Sequence, residues 1–311
     1  MTTGTPAFDS SAGPHVSALA DAPPRIGLSG YLACFRGIVW REVLRFLHQR
    51  ERFLSALVRP LVWLFIFAAG FRQVLGVSII PPYQSYVLYE TFVTPGLVGM
   101  ILLFNAMQSS LSMVYDRETG AMRTLLVSPF PRSFLLVSKI VGGVAVAMLQ
   151  GYVFLFVAYY WEIEPGAPPI PLPFGLSIPH PFAGYVTVAP ALFLSGLMLG
   201  ALALFMSSVI KQLENFAGVM NFVIFPMFFA SSALYPLWRI KESSPLLYEI
   251  CRLNPFTYVV ELIRFGFHGQ IDWLSLAVVV GCTVLFLGAA IYAYNPSKGL
   301  IGRRGGPGGG S

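Results

Sequence analysis

Charged side chains are scarce in this sequence, yet six of them fall within one stretch, Tyr115–Lys139: Asp116, Arg117, Glu118, Arg123, Arg132 and Lys139. The same stretch carries Leu125, Leu126, Val127, Phe130 and Phe134. Charges alone suit a solvated connection, whereas charges interleaved with apolar residues suit a short amphipathic element that docks on a partner. Gly120 and Pro129 are placed to bracket such a helix. A second polar set, Asn105, Gln108 and Ser112, has i, i+3, i+7 spacing and so shares one helical face. Within a membrane, such a face either lines a substrate path or hydrogen-bonds to a neighbouring helix, and both readings stand. A third set, Glu261 and Arg264, has the i, i+3 spacing that stabilises a short helix.

These residues bind and transmit; nothing in the sequence marks a bond-making centre. There is no GxSxG and no HExxH, and no pair of carboxylates shares a predicted intramembrane helix. Cys34, Cys251 and Cys282 are scattered, without CxxC spacing, so neither a disulfide framework nor a zinc site is indicated. No metal and no cofactor is expected in this chain. A GxxxxGK[ST] loop is also missing, so nucleotide-driven work requires a second polypeptide.

The elements that must position these residues are apolar. Of the 311 residues, 56% are hydrophobic and 11% charged, with mean hydropathy +0.69. Soluble domains carry about 25% charged residues. A bilayer span takes about 20 apolar residues, and six runs qualify, at about 57–75, 92–114, 137–160, 185–210, 216–235 and 271–294. The expected fold is an all-α polytopic membrane protein with six transmembrane helices. The stretch that docks a partner then joins the second and third spans, and the Asn105 face lies within the second.

Ahead of the first span, Phe35–Leu54 places Arg36, Arg41, Arg45, His48 and Arg52 on one side and Phe35, Val39, Val43, Phe46 and Phe53 on the other. That pattern predicts an interfacial amphipathic helix. Residues 1–34 lack a signal-peptide core and read as a disordered cytoplasmic tail; residues 296–311 read as a flexible C-terminal tail or linker. The proline-rich connector Glu162–Gly184 is expected to run extended. Pro226 predicts a kink in the fifth span. Leu237–Gln270 is too polar to span and predicts two short helices broken at Asn254–Pro255. Gly196 and Gly200 form GxxxG, a signal for close helix packing or a dimer contact.

Net charge is +6. With both termini inside, fifteen of the twenty Lys and Arg residues fall on cytoplasmic segments, as the positive-inside rule requires. The basic residues flank spans and do not interleave with aromatics, so a nucleic-acid partner is excluded.

Two blocks carry a family resemblance. Arg117–Glu118–Thr119–Gly120, Leu125–Leu126–Val127–Ser128–Pro129, Arg132 and Lys139 resemble the first cytoplasmic loop of ABC-2 type transporter permeases, with Arg123 where a carboxylate is commoner. Asn254–Pro255–Phe256–Thr257–Tyr258 through Glu261 and Arg264 is similar to the family's NPxTYxxxxxR segment before the last span. Together with the six spans, the resemblance covers residues 35–295. It implies a permease subunit of an ATP-driven exporter in the inner membrane, moving an amphipathic or hydrophobic substrate such as a lipid-linked saccharide or drug-like molecule. It also implies two cytosolic ATPase subunits carrying ATP and Mg, a second permease copy forming a homodimer, and surrounding lipids. Arg117, Glu118, Gly120, Arg123, Leu125, Leu126, Pro129 and Arg132 would form the coupling loop. Asn254, Pro255, Tyr258, Glu261 and Arg264 would belong to a re-entrant outer helix pair. Two other classes remain at this stage, an ion-driven secondary transporter and a membrane assembly protein that moves nothing.

Overall fold

The computed structural model describes residues 27–48, 50–71, 81–83, 87–118, 129–161, 163, 166–171, 173, 177–180, 182–210 and 213–293. Helix α1 (Leu28–His48) leads into α2 (Arg50–Phe71). The two longest helices follow, α3 (Tyr89–Glu118) and α4 (Arg132–Tyr159). The connector beyond α4 contains an antiparallel pair, β1 (Ile170–Pro171) and β2 (Ser177–Ile178), with Ile170 opposite Ile178. Then come α5 (Phe182–Thr187), α6 (Ala189–Val209) and α7 (Leu213–Phe229). Three short helices, α8 (Leu237–Ser243), α9 (Pro245–Leu253) and α10 (Pro255–Gly266), precede α11 (Trp273–Ala293).

The core is built around α3, which packs against α2, α4, α6, α7 and α10. A helix covered on all sides must be apolar all round, and Val93, Leu97, Val98, Leu102, Leu103 and Met107 are fully buried. Helix α6 approaches α4 closely through Gly196 and Gly200. A Cβ on Gly196 would lie 2.8 Å from Val144 Cγ1, and one on Gly200 2.7 Å from Ile140 Cγ2. The GxxxG pair is therefore used for packing within the chain. Helix α11 rests on α6, yet Leu274, Val284 and Leu285 on its other side are exposed. A face so apolar and so open belongs against lipid.

Among the described residues, four helical segments are long and apolar enough to cross a membrane: Tyr89–Tyr115, Arg132–Tyr159, Phe182–Val209 and Trp273–Ala293. Leu57–Ile66 and Gly218–Phe229 are shorter apolar helical segments. The chain is thus an all-α polytopic membrane protein, apart from the small strand pair.

Several expected boundaries move. Helix α1 begins at Leu28, so the last residues assigned to the N-terminal tail belong to it. The expected fifth span, 216–235, ends as a helix at Phe229. Beyond it the chain turns, with the Ser231 hydroxyl donating to the Phe228 carbonyl and accepting from the Ala233 amide. This turn brings Ala233 against α3 at Gly96, where a Cβ would meet the Ala233 carbonyl oxygen at 2.7 Å. A continued helix would not make that approach. The expected helix pair in 237–270 is a triplet. The missed break is at Ser244–Pro245, where the Ser244 hydroxyl accepts from the Leu247 amide and proline takes the first helical turn. Lys139, expected among the cytoplasmic charges, is buried on α4 at 9% exposure.

Candidate functional site

Two polar regions can be built from described side chains, at opposite ends of α3. Near its N-terminus lies a cluster centred on α10. Asn254 caps two helices at once. Its Oδ1 accepts from the Phe256 amide, while its Nδ2 donates to the Met227 and Ala230 carbonyls at 2.7 and 2.6 Å. Donors at the start of α10 and acceptors at the end of α7 are thereby satisfied by one side chain. The Thr257 hydroxyl donates to the Cys251 carbonyl, and the Tyr258 hydroxyl to the Arg252 carbonyl, closing the end of α9. Pro255 starts α10.

Arg264 is 3% exposed. Its Nη1 donates to Glu261 Oε1 in an ion pair, and its Nη2 donates to the Ser232 carbonyl at 2.8 Å. The guanidinium carbon stands 4.2 Å from the centre of the Phe92 ring, a cation–π contact strengthened by desolvation. Arg264 thus ties α10 to the turn after α7 and to the first turn of α3. Tyr83 stands edge-on to His268 at 5.0 Å, and burial pushes its phenol up to about 12. Burial likewise holds the His268 imidazole below its ordinary range; its Nδ1 donates to the Arg264 carbonyl at 3.0 Å. The i, i+3 spacing of Glu261 and Arg264 predicted the pair but not Tyr83, Ser232, Phe92 or His268 around it. Arg264 follows Val260 by four residues and Thr257 by seven, on the face of α10 that the bundle buries; that spacing was the available signal.

The second region lies where α1 crosses α3 and α4. An open cleft is lined by Glu42, Arg45 and Phe46 of α1, Asn105, Gln108, Ser109 and Ser112 of α3, and Gly143 and Val146 of α4. The predicted face Asn105, Gln108 and Ser112 is therefore brought together on one wall. Its members are used differently. Asn105 Nδ2 donates to Gln150 Oε1 on α4 and to the Ile101 carbonyl, which makes it an interhelical tie. Gln150 is fully buried, and its Oε1 accepts that bond. The Ser112 hydroxyl donates to the Ser109 carbonyl. Gln108 forms no hydrogen bond among the described residues.

Helix α1 presents the expected two sides as far as His48, where it ends; Arg52 and Phe53, expected to continue them, belong to α2, and their side chains lie outside the described ones. Arg36, Arg41, Arg45 and His48 are exposed, and Phe46 is buried. Glu42 went unnoticed in the sequence, although its spacing from Val39 and Phe46 puts it on the inward side. Its side chain is 11% exposed, and its stem lies over Gly142 of α4, where a Cβ would meet Glu42 Cγ at 3.1 Å. Tyr31 of α1 packs edge-on against Phe130 and Phe134, each at 5.1 Å. Helix α1 thus grips the start of α4.

The loop that gave the strongest sequence signal is only partly described. Arg117 and Glu118 end α3, Pro129 is exposed, and Arg132 begins α4, also exposed. Gly120, Arg123, Leu125 and Leu126 lie outside the described residues.

Residues 34–268 match the family model "ABC-2 type transporter". The chain is similar to the inner membrane transport permease YadH of Escherichia coli K12, 23% identical over 83% of this chain and 91% of that protein. It is similar to the putative transport permease ycf38 of Cyanophora paradoxa, 25% identical over 71% of this chain and 69% of that one. It also resembles the probable multidrug ABC transporter permease YbhR of Escherichia coli K12, 27% identical over 58% of this chain and 45% of that protein. The family match spans the bundle from α1 through α10, both polar regions included, and the chain belongs to the ABC-2 type transporter family, as a membrane transport permease.

Proposed function

We propose that this chain is the membrane subunit of an ATP-driven exporter that moves an amphipathic or hydrophobic substrate outward across the cytoplasmic membrane. Two copies would pair with two cytosolic ATPase subunits, which supply the ATP and Mg sites. The observation that carries this reading is the placement of the connection between α3 and α4. It joins the two longest helices, which pack against each other and against α6 in the core. A displacement there passes straight into the bundle. The chain has no phosphate-binding loop with which to drive that movement itself.

In this reading Arg117, Glu118, Gly120, Arg123, Leu125, Leu126, Pro129 and Arg132 form the coupling loop. Leu125 and Leu126 supply apolar anchors in a groove of the ATPase and the charges supply its rim. The contact of Tyr31 with Phe130 and Phe134 supports a shared movement of α1 with the loop. The two shorter apolar helical segments complete six spans, both termini lie in the cytoplasm, and α1 lies along the inner interface. Helices α8 to α10 form the re-entrant outer segment, held by the Arg264 cluster. The Gln108 wall of the α1 cleft lies on the substrate path.

Affinity purification of the tagged full-length chain from its native membrane tests the proposal. An ATP-hydrolysing subunit bearing a phosphate-binding loop is expected to co-purify. A chain that purifies without one, and drives export only under an ion gradient, would overturn it.

A further inference from the structure

We propose that the cleft between α1, α3 and α4 is a binding site for a zwitterionic phospholipid headgroup that carries a primary ammonium. This holds whether the bound lipid is cargo or a resident of the complex. Three acceptors line the cleft with capacity to spare. Among the described residues, the polar contacts of Glu42 use Oε1, to Arg41 Nη2 at 3.3 Å and Arg45 Nη1 at 3.8 Å, and leave Oε2 unused. Among the described residues, neither the Gln108 amide nor the Ser109 hydroxyl makes a hydrogen bond. Ser109 Oγ is held close to α4 because position 143 is glycine, where a Cβ would lie 3.0 Å from it.

A primary ammonium has three donors and no acceptor, which matches Glu42 Oε2, Gln108 Oε1 and Ser109 Oγ. A carboxylate in this half-buried setting favours a cation over a neutral hydroxyl, because charge-assisted hydrogen bonds are about twice as strong. Beside the carboxylate stand the exposed guanidinium groups of Arg41 and Arg45, which suit the phosphate one short linker away. The two arginines and Glu42 leave one net positive charge, so a head with cation alone is disfavoured and one with a phosphate is accommodated. Two of the three walls, α3 and α4, are candidate membrane spans, and Phe46 and Val146 supply apolar lining. The occupant is therefore the headgroup of a lipid and not a soluble phosphoamine.

Native mass spectrometry of the intact purified chain, titrated with lipids of identical acyl chains, tests the assignment. Phosphatidylethanolamine is expected to bind at roughly tenfold lower concentration than phosphatidylcholine, whose quaternary nitrogen cannot donate. Phosphatidylglycerol, which lacks the cation, is expected to match phosphatidylcholine. Glu42→Gln and Gln108→Leu should each reduce this preference with phosphatidylcholine binding unchanged. The second variant leaves every charge in place, so it decides the matter should the first fail to fold. Equal retention of the three lipids, or a preference unmoved in the folded variants, would overturn the proposal. Free O-phosphoethanolamine should not displace bound phosphatidylethanolamine; displacement at equal concentration would overturn the assignment to a lipid.

Discussion

The two ends of α3 use polar side chains in opposite ways. In the α10 cluster the polar side chains that join helices are spent inside the protein, although the Ser232 hydroxyl makes no hydrogen bond among the described residues. Asn254 serves two helices, and Arg264 has a carboxylate, a carbonyl and a ring face. In the α1 cleft, Gln108 and Ser109 keep hydrogen-bonding capacity that the described residues do not use. A buried polar group costs stability unless it is paired. Pairing from one helix to another therefore marks a clasp that holds helices together, and spare capacity beside an opening marks a surface for something else. The same residue classes serve both ends, and burial separates the roles.

Breaking the clasp should have the largest effect. Glu261→Gln leaves the buried Arg264 guanidinium without its counter-charge, and removal of one partner from a buried pair costs about 3–5 kcal/mol. Thermal unfolding in detergent should fall accordingly. The corresponding change in the cleft, Glu42→Gln, should alter stability by only about 0.5 kcal/mol, because Arg41 and Arg45 are exposed. Equal losses from both changes would erase the distinction between the regions.

Next in size is Gly96→Val, which forces a side chain into the Ala233 backbone. Overpacking of this kind costs about 1–3 kcal/mol, and limited proteolysis should reveal loosening between Ala230 and Tyr235 before the rest of the bundle. A small effect, close to that of Glu42→Gln, is expected for Asn105→Ala. It removes one interhelical hydrogen bond, worth about 0.6 kcal/mol on average within membranes. A much larger loss would move Asn105 from the cleft wall into the clasp class.

Much of this was legible in the sequence, for physical reasons. A bilayer demands long apolar runs, so the helical bundle and its family could be read from hydropathy and the two motif blocks. Asn254–Pro255 announced a helix start because a side-chain acceptor followed by proline is what such a start requires. Ser244–Pro245 carries the same signal and was hidden by the apolar periodicity running through it. Lys139 shows the limit of topology rules, since charge counts place a residue near an interface but not on a face. Glu42 was obscured by the basic residues around it, and its role depends on Gly142, a hundred positions away in sequence. The clasp was half visible: one helix fixes the Glu261–Arg264 spacing and the i, i+4 bond of His268 to the Arg264 carbonyl, but Ser232 and Phe92 reach Arg264 only through tertiary packing.

The central claim is that the connection between α3 and α4 takes its drive from an ATPase. It is tested most directly by the double change Leu125→Asp and Leu126→Asp in the tagged chain, measured by co-purified ATP hydrolysis. The variant is expected to insert and accumulate in the membrane as the parent does and to lose the co-purifying activity. Retention of full activity by an equally abundant variant would contradict the claim.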